Sequence, residues 1–149
     1  KIRLRRMQEA RTGGGCGMTD LPSISDYMAT DLITLTPETE INRAVAILMD
    51  ANISGAPVVD AKGDLVGVLS KKDCLKAALN ASFFQDWGGS VADYMTTEVE
   101  VLTPDMDLLK AAETFLASRF RRFPVMKDGK LVGQVSRTDI LRGLRDHWT

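Results

Sequence analysis

The chain contains itself twice. Residue i matches residue i+67 through Asp26-Tyr27-Met28 and Asp93-Tyr94-Met95, Leu35-Thr36-Pro37 and Leu102-Thr103-Pro104, Ala44 and Ala111, and Pro57-Val58 and Pro124-Val125. One residue is lost near Lys62. At i+66 the matches continue through Gly63 and Gly129, Leu65-Val66-Gly67 and Leu131-Val132-Gly133, Ser70 and Ser136, Asp73 and Asp139, and Leu75 and Leu141. Matches this dense and colinear restrict the fold to two equivalent supersecondary units, and the single gap falls in a turn, where a length change disturbs packing least.

Each copy predicts the same elements. Ile41, Ala44, Val45, Leu48 and Met49 recur at three- and four-residue spacing and predict an amphipathic helix; Leu108, Ala111, Ala112, Phe115 and Leu116 are its counterpart. A hairpin follows, Ala56–Val59 and Leu65–Leu69 around Asp60–Asp64, repeated as Pro124–Met126 and Leu131–Val135 around Lys127–Lys130. The second strand stops at Ser70 or Ser136, good N-cap residues. Closing helices then run through Leu75, Ala78 and Leu79, or Ile140, Leu141 and Leu144. With lead-in strands at Ile33–Leu35 and Val99–Leu102, each repeat reads β-α-β-β-α, an α/β (α+β) architecture. The expected boundaries are a basic arm over 1–22, repeat 1 over 23–80, a connector over 81–90, repeat 2 over 91–145 and a tail over 146–149.

Charge and composition exclude several functions. The net charge of −1 over 149 residues resolves into +4 for residues 1–11, −10 for 12–118 and +5 for 119–149. An arginine-rich end suits nucleic acid or a membrane surface, but a solvated face explains it better, and neither nucleic acid nor membrane is expected as a partner. No apolar run approaches the length of a membrane span. Cys16 and Cys74 form no disulfide framework or metal cluster and fit a reducing cytoplasm. A single histidine, His147, makes His-dependent catalysis and metal binding poor candidates, and no acidic pair has a partner base or nucleophile. The arm alternates Ile2, Leu4, Met7 and Ala10 with arginines, compatible with a short helix stopped at Thr12-Gly13-Gly14-Gly15.

These residues, in this order and twice, resemble the cystathionine-β-synthase-type repeat, the CBS domain, as a tandem pair (a Bateman module). The marks are the Asp-Tyr-Met lead-in, the Thr-Pro before the first helix, the Pro-Val-Val and Phe-Pro-Val-Met strand entries, the Gly-Asp-Leu-Val-Gly and Gly-Lys-Leu-Val-Gly hairpins, and Ser-Lys-Lys-Asp or Ser-Arg-Thr-Asp at the last strand-to-helix junction. They cover about residues 23–145. The resemblance implies two repeats packed by pseudo-twofold symmetry through their sheets, two clefts, and association of modules as a disc-shaped homodimer.

The Ser-x-x-Asp junction suits a nucleotide. A carboxylate one turn into a helix can hold a ribose diol by paired hydrogen bonds, beside backbone N–H groups whose field favours phosphate. A lone Ser-x-x-Asp is a capping box; both copies keep it here. The resemblance implies composite clefts. One joins Ser70, Lys71, Lys72 and Asp73 to Met95, Glu98, Glu100, Arg121, Arg122 and Pro124. The other joins Ser136, Arg137 and Asp139 to Met28, Asp31, Ile33, Ser54, Gly55, Ala56 and Pro57. Because Arg121 and Arg122 suit phosphate geometry, unless they only decorate an exposed turn, the Asp73 cleft is expected to take AMP, ADP or ATP. The Asp139 cleft is expected to be weak, empty or suited to an adenosyl ligand such as S-adenosylmethionine.

Cys74 is expected to face the core, and Phe83, Phe84 and Trp87 to pack the connector onto the module. The functional expectation is a non-enzymatic regulatory module, with no required cofactor or metal, that binds adenine nucleotide and signals to an effector protein. The alternative is a structural dimerisation module with vestigial clefts.

Overall fold

A computed structural model of the protein describes residues 4–6 by their backbone and residues 21–148 with their side chains. In chain order the elements are β1 (Leu4–Arg6), a 3-10 turn (Ile24–Asp26), α1 (Ile41–Asp50), β2 (Gly55–Val59), β3 (Leu65–Ser70), α2 (Lys71–Phe84), α3 (Val91–Tyr94), β4 (Val99–Val101), α4 (Leu108–Leu116), β5 (Arg122–Lys127), β6 (Lys130–Ser136) and α5 (Arg137–His147). This is the mixed α+β order that the repeat predicts. In the arm, whose sequence is compatible with a short helix, Leu4–Arg6 is a strand laddered with β4; the rest of that expectation lies outside the described residues.

The chain divides into two compact units that are offset from the two repeats. Among the described residues one unit holds Leu4 and residues 32–99; the other holds Arg5, Arg6, residues 21–31 and residues 100–148. Each unit therefore holds the Asp-Tyr-Met segment of the opposite repeat. The first packs Val91, Leu35, Ile41, Ala44, Leu48, Val58, Leu69 and Ala77 into one core, with Tyr94 and Met95 against it. The second packs Ile24, Leu102, Leu108, Ala111, Phe115, Phe123, Val135 and Ile140, with Tyr27 and Met28 against it.

The hairpins are antiparallel, with Gly55 opposite Ser70 and Arg122 opposite Ser136. Their one-residue difference is a difference of turn. Asp128 and Gly129 both have positive φ (52° and 79°), as a two-residue hairpin loop requires. In the first repeat the Asp60 side chain instead accepts from Lys62 N and Asp64 N, bracing a longer turn in which Gly63 takes φ 82°. The lead-in expected at Ile33–Leu35 is a single parallel bridge, Leu35 to Val58, matched by Leu102 to Val125 in the other unit.

The third residue of each Leu-Val-Gly motif lets the opposite lead-in approach. A Cβ on Gly67 would lie 2.9 Å from both Met95 Sδ and Thr96 O, and one on Gly133 would lie 2.6 Å from Met28 Sδ and 2.9 Å from Ala29 O. Both approaches are bonded in pairs: Val68 and Thr96 exchange N–H···O bonds of 2.9 Å, and Ala29 and Gln134 do so at 2.8 and 2.9 Å. Glycine is thus required by contact at these two positions, since any side chain would separate the paired backbones.

Several apolar expectations are corrected at the surface. Met49 and Leu116, equivalent positions in α1 and α4, are exposed, as are Leu75, Leu79 and Leu141; Cys74 and Ala77 are the residues of α2 that face the core. The helix α2 continues through the first four residues of the expected connector, and its Phe83 and Phe84 are exposed rather than packed (76% and 79%).

Candidate functional site

Each unit carries one serine–aspartate junction at the point where a strand feeds directly into a helix. At the first, Ser70 has extended backbone (φ −102°, ψ 166°), so the chain turns from β3 into α2 without a loop. Its hydroxyl accepts from Asp73 N at 3.2 Å and donates to Asp73 Oδ2 at 2.9 Å, and its own N–H donates to that oxygen at 2.9 Å. A reciprocal capping box forms and draws the carboxylate inward. Asp73 is 4% exposed, one of two buried polar residues among those described, the other being Thr114. From the opposite repeat Thr96 adds its hydroxyl, 3.4 Å from Oδ1 and 3.3 Å from Oδ2. Asp73 thus receives uncharged donors, while Lys71 and Lys72 of the first helical turn point to solvent. The Lys71 N–H donates to Ser54 O at 2.9 Å, tying the segment before Pro57 to this junction.

The second junction repeats the box but not its surroundings. Ser136 Oγ accepts from Asp139 N at 3.2 Å, and Ser136 N donates to Asp139 Oδ2 at 2.9 Å. The counterpart of Thr96 is Ala29, which has no hydroxyl to give. Instead Arg142, one helical turn on, ion-pairs with Asp139 Oδ1 at 3.1 Å and donates from the same nitrogen to Tyr27 O at 3.2 Å. Its guanidinium carbon lies 5.8 Å from the centre of the Tyr27 ring. Arg122 stands opposite Ser136 in the ladder, and Arg137 N donates to Arg121 O at 3.3 Å. Burial pushes the Arg122 guanidinium below its ordinary value, and Asp139 opposes that shift. Arg122 Nε is buried and has no partner.

Of the residues expected to act together, the first unit assembles Ser70, Lys71, Lys72 and Asp73, with Met95 pressed on Gly67 and Glu98 exposed nearby in sequence. Ile33, Ser54, Gly55, Ala56 and Pro57, expected with Asp139, belong to this unit. The second unit assembles Ser136, Arg137 and Asp139 with Met28 and Asp31. Glu100, Arg121, Arg122 and Pro124, expected with Asp73, belong to it. Sequence reading missed Thr96, Tyr27 and Arg142. The register held a signal for two of them: Thr96 aligns with Ala29 and Arg142 with Lys76, whereas Tyr27 aligns with an identical Tyr94. Among the described residues no group of His, Cys, Asp and Glu could hold a metal ion, and no helix is long and apolar enough to cross a membrane.

Two strand-to-helix junctions of this kind, in two units that trade lead-in segments, define a paired-repeat module. The CBS domain family model matches residues 24–80 and 91–146, and the chain belongs to that family. It is 31% identical over 125 residues to the uncharacterized protein MJ1225 of Methanocaldococcus jannaschii; the match covers 84% of this chain and 44% of that protein, so the chain spans less than half of that relative's length. Among solved structures it is similar to CBSX2 in complex with AMP (31% identity, TM-score 0.74, 84% of this chain and 97% of that one). It is also similar to the CBS domain pair of protein MJ0100 in complex with 5-methylthioadenosine and S-adenosyl-L-methionine (26% identity, TM-score 0.72, 85% and 98%).

Proposed function

We propose that this chain is a non-enzymatic regulatory module that binds an adenine nucleotide and passes a change of conformation or assembly to an effector protein. The observation that carries the reading is the Asp73 carboxylate, buried at the head of a 14-residue helix and held only by uncharged donors among the described residues. A ribose diol donates two hydrogen bonds to such a carboxylate, and the adjacent helix N-terminus with Lys71 and Lys72 favours phosphate. AMP, ADP and ATP fit that combination. The adenine compounds bound by CBSX2 and MJ0100 support the ligand class. Binding alters the module's state only insofar as the ligand prefers one conformation or assembly to another.

The second junction, whose carboxylate is already ion-paired with Arg142, is proposed to be weak, empty or suited to an adenosyl compound such as S-adenosylmethionine. Calorimetric titration of AMP, ATP and S-adenosylmethionine into wild type, Asp73→Ala and Asp139→Ala tests both assignments; affinities unchanged by either substitution would remove the site. A second reading, a dimerisation unit, is favoured by the exposed Leu75, Leu79, Phe83 and Phe84 along α2. Both roles are compatible with a homodimer.

A further inference from the structure

We propose that Arg142 is a built-in competitor for the Asp139 carboxylate, and that it makes the second junction the weaker and more salt-responsive of the two toward a ribose diol. The inference rests on the reading of Asp73 and Asp139 as diol acceptors.

In both junctions the serine N–H takes Oδ2 at 2.9 Å, leaving Oδ1 as the less committed oxygen. At Asp73 the sole described donor to Oδ1 is the Thr96 hydroxyl, at a long 3.4 Å. At Asp139 the same oxygen holds a charged donor at 3.1 Å. That donor is positioned from three sides: by the carboxylate, by Tyr27 O and by the Tyr27 ring. The opposite lead-in thus contributes to both junctions with opposite effect. In the first it gives a neutral hydroxyl that a ligand hydroxyl can replace; in the second it gives a carbonyl and a ring that hold a cation over the acceptor. A neutral diol entering the second junction must displace or share the Arg142 bond, and a half-exposed ion pair of this kind is screened by salt. Lys76, the counterpart of Arg142, is exposed and makes no ion pair with Asp73. Lysine is a flexible point charge, without the planar fork that lets arginine hold carboxylate and carbonyl together.

The probe is adenosine, which carries the diol without charge, so that salt acts on the protein's own ion pair. Binding is measured in Asp73→Ala, where the second junction reports, with Arg142 intact or replaced by Met, Gln or Lys, and with 2′-deoxyadenosine as control. Thermal melts verify that each variant is folded. We expect Arg142→Met and Arg142→Gln to bind adenosine roughly three- to tenfold more tightly, Arg142→Lys to fall between, and 2′-deoxyadenosine to gain little. Raising salt should tighten adenosine binding while Arg142 is present and leave Arg142→Met unchanged. Unchanged or weaker binding in both the Met and Gln variants overturns the proposal, because Arg142 would then be neutral or a ligand contact. The two readings fail separately. If wild type prefers adenosine to 2′-deoxyadenosine and loses that preference in Asp73→Ala/Asp139→Ala, the diol sites stand and the Arg142 variants alone decide. If wild type shows no preference, both readings fall.

Discussion

The Thr96 hydroxyl reaches the Asp73 carboxylate at 3.3 Å across 23 positions of sequence, joining the lead-in of one repeat to the helix start of the other. Its counterpart Ala29 has no such bond to make, so an almost identical sequence motif creates two chemically different carboxylates.

Thr96→Val removes that donor while keeping the side-chain shape. The bond is long, and its loss should cost about 0.5–1.5 kcal/mol, read as a lower denaturation midpoint in urea with an unchanged slope. The reciprocal Ala29→Thr should leave stability within about 0.5 kcal/mol, because Arg142 already serves Asp139. A larger loss from Ala29→Thr than from Thr96→Val would contradict the asymmetry.

Gly67→Ala and Gly133→Ala force a methyl group onto a carbonyl at 2.9 Å, and the Met sulfur beside it can yield where the backbone cannot. Each should destabilise by about 1–3 kcal/mol by parting the lead-in from the hairpin. Gly63→Ala meets nothing within 4 Å and suffers only its positive φ, worth about 1–2 kcal/mol. Amide exchange separates the two mechanisms: loss of protection at Thr96 and Val68 is expected in Gly67→Ala and not in Gly63→Ala.

A saturating nucleotide should raise the melting temperature. At about 100 times the dissociation constant the stabilisation is about 2.7 kcal/mol. Asp73→Ala should weaken AMP binding about tenfold or more, as the loss of a charged hydrogen bond implies, and Asp139→Ala should weaken it less. A greater loss in Asp139→Ala would assign the charged nucleotide to the other junction.

Burial, and after it the adjacent Asp73 carboxylate, pushes the Cys74 thiol above its ordinary value. Thiolate is the reactive form, so raising the thiol shrinks the reactive fraction at pH 8. Alkylation of Cys74 by iodoacetamide, followed by peptide mass spectrometry, should be at least about tenfold slower in native protein than in urea and should accelerate as pH rises. Equal rates in the two states would show Cys74 to be open to solvent.

Leu79 and Phe83 lie exposed on α2, where Arg145 and Thr149 stand at the equivalent positions of the second repeat. Leu79→Glu should leave the melting temperature nearly unchanged in dilute protein and shift light-scattering mass toward monomer, if the α2 face is what pairs two modules. A mass unaffected by the substitution would remove α2 from any interface.

The duplication, the order of elements, the hairpin turns and the Ser-x-x-Asp caps were legible in the sequence because each is local. Periodicity, turn chemistry and capping act over a few residues and repeat at 67 and 66 positions. Helix faces were less legible. Leu75, Leu79, Met49 and Leu116 fit an apolar stripe as well as the residues that are buried, and only the packed neighbours decide which side of a helix meets the core. Which hairpin each Asp-Tyr-Met segment pairs with is decided by the tertiary structure: local pattern left either pairing open, and only the family resemblance implied Met95 with Asp73 and Met28 with Asp139. Two copies with the same pattern offer equivalent local energies for either pairing. The observed pairing sets Gly67 against Met95 and Gly133 against Met28; it gives Asp73 the Thr96 hydroxyl, and it gives Arg142, the helical neighbour of Asp139, the Tyr27 carbonyl and ring that hold it.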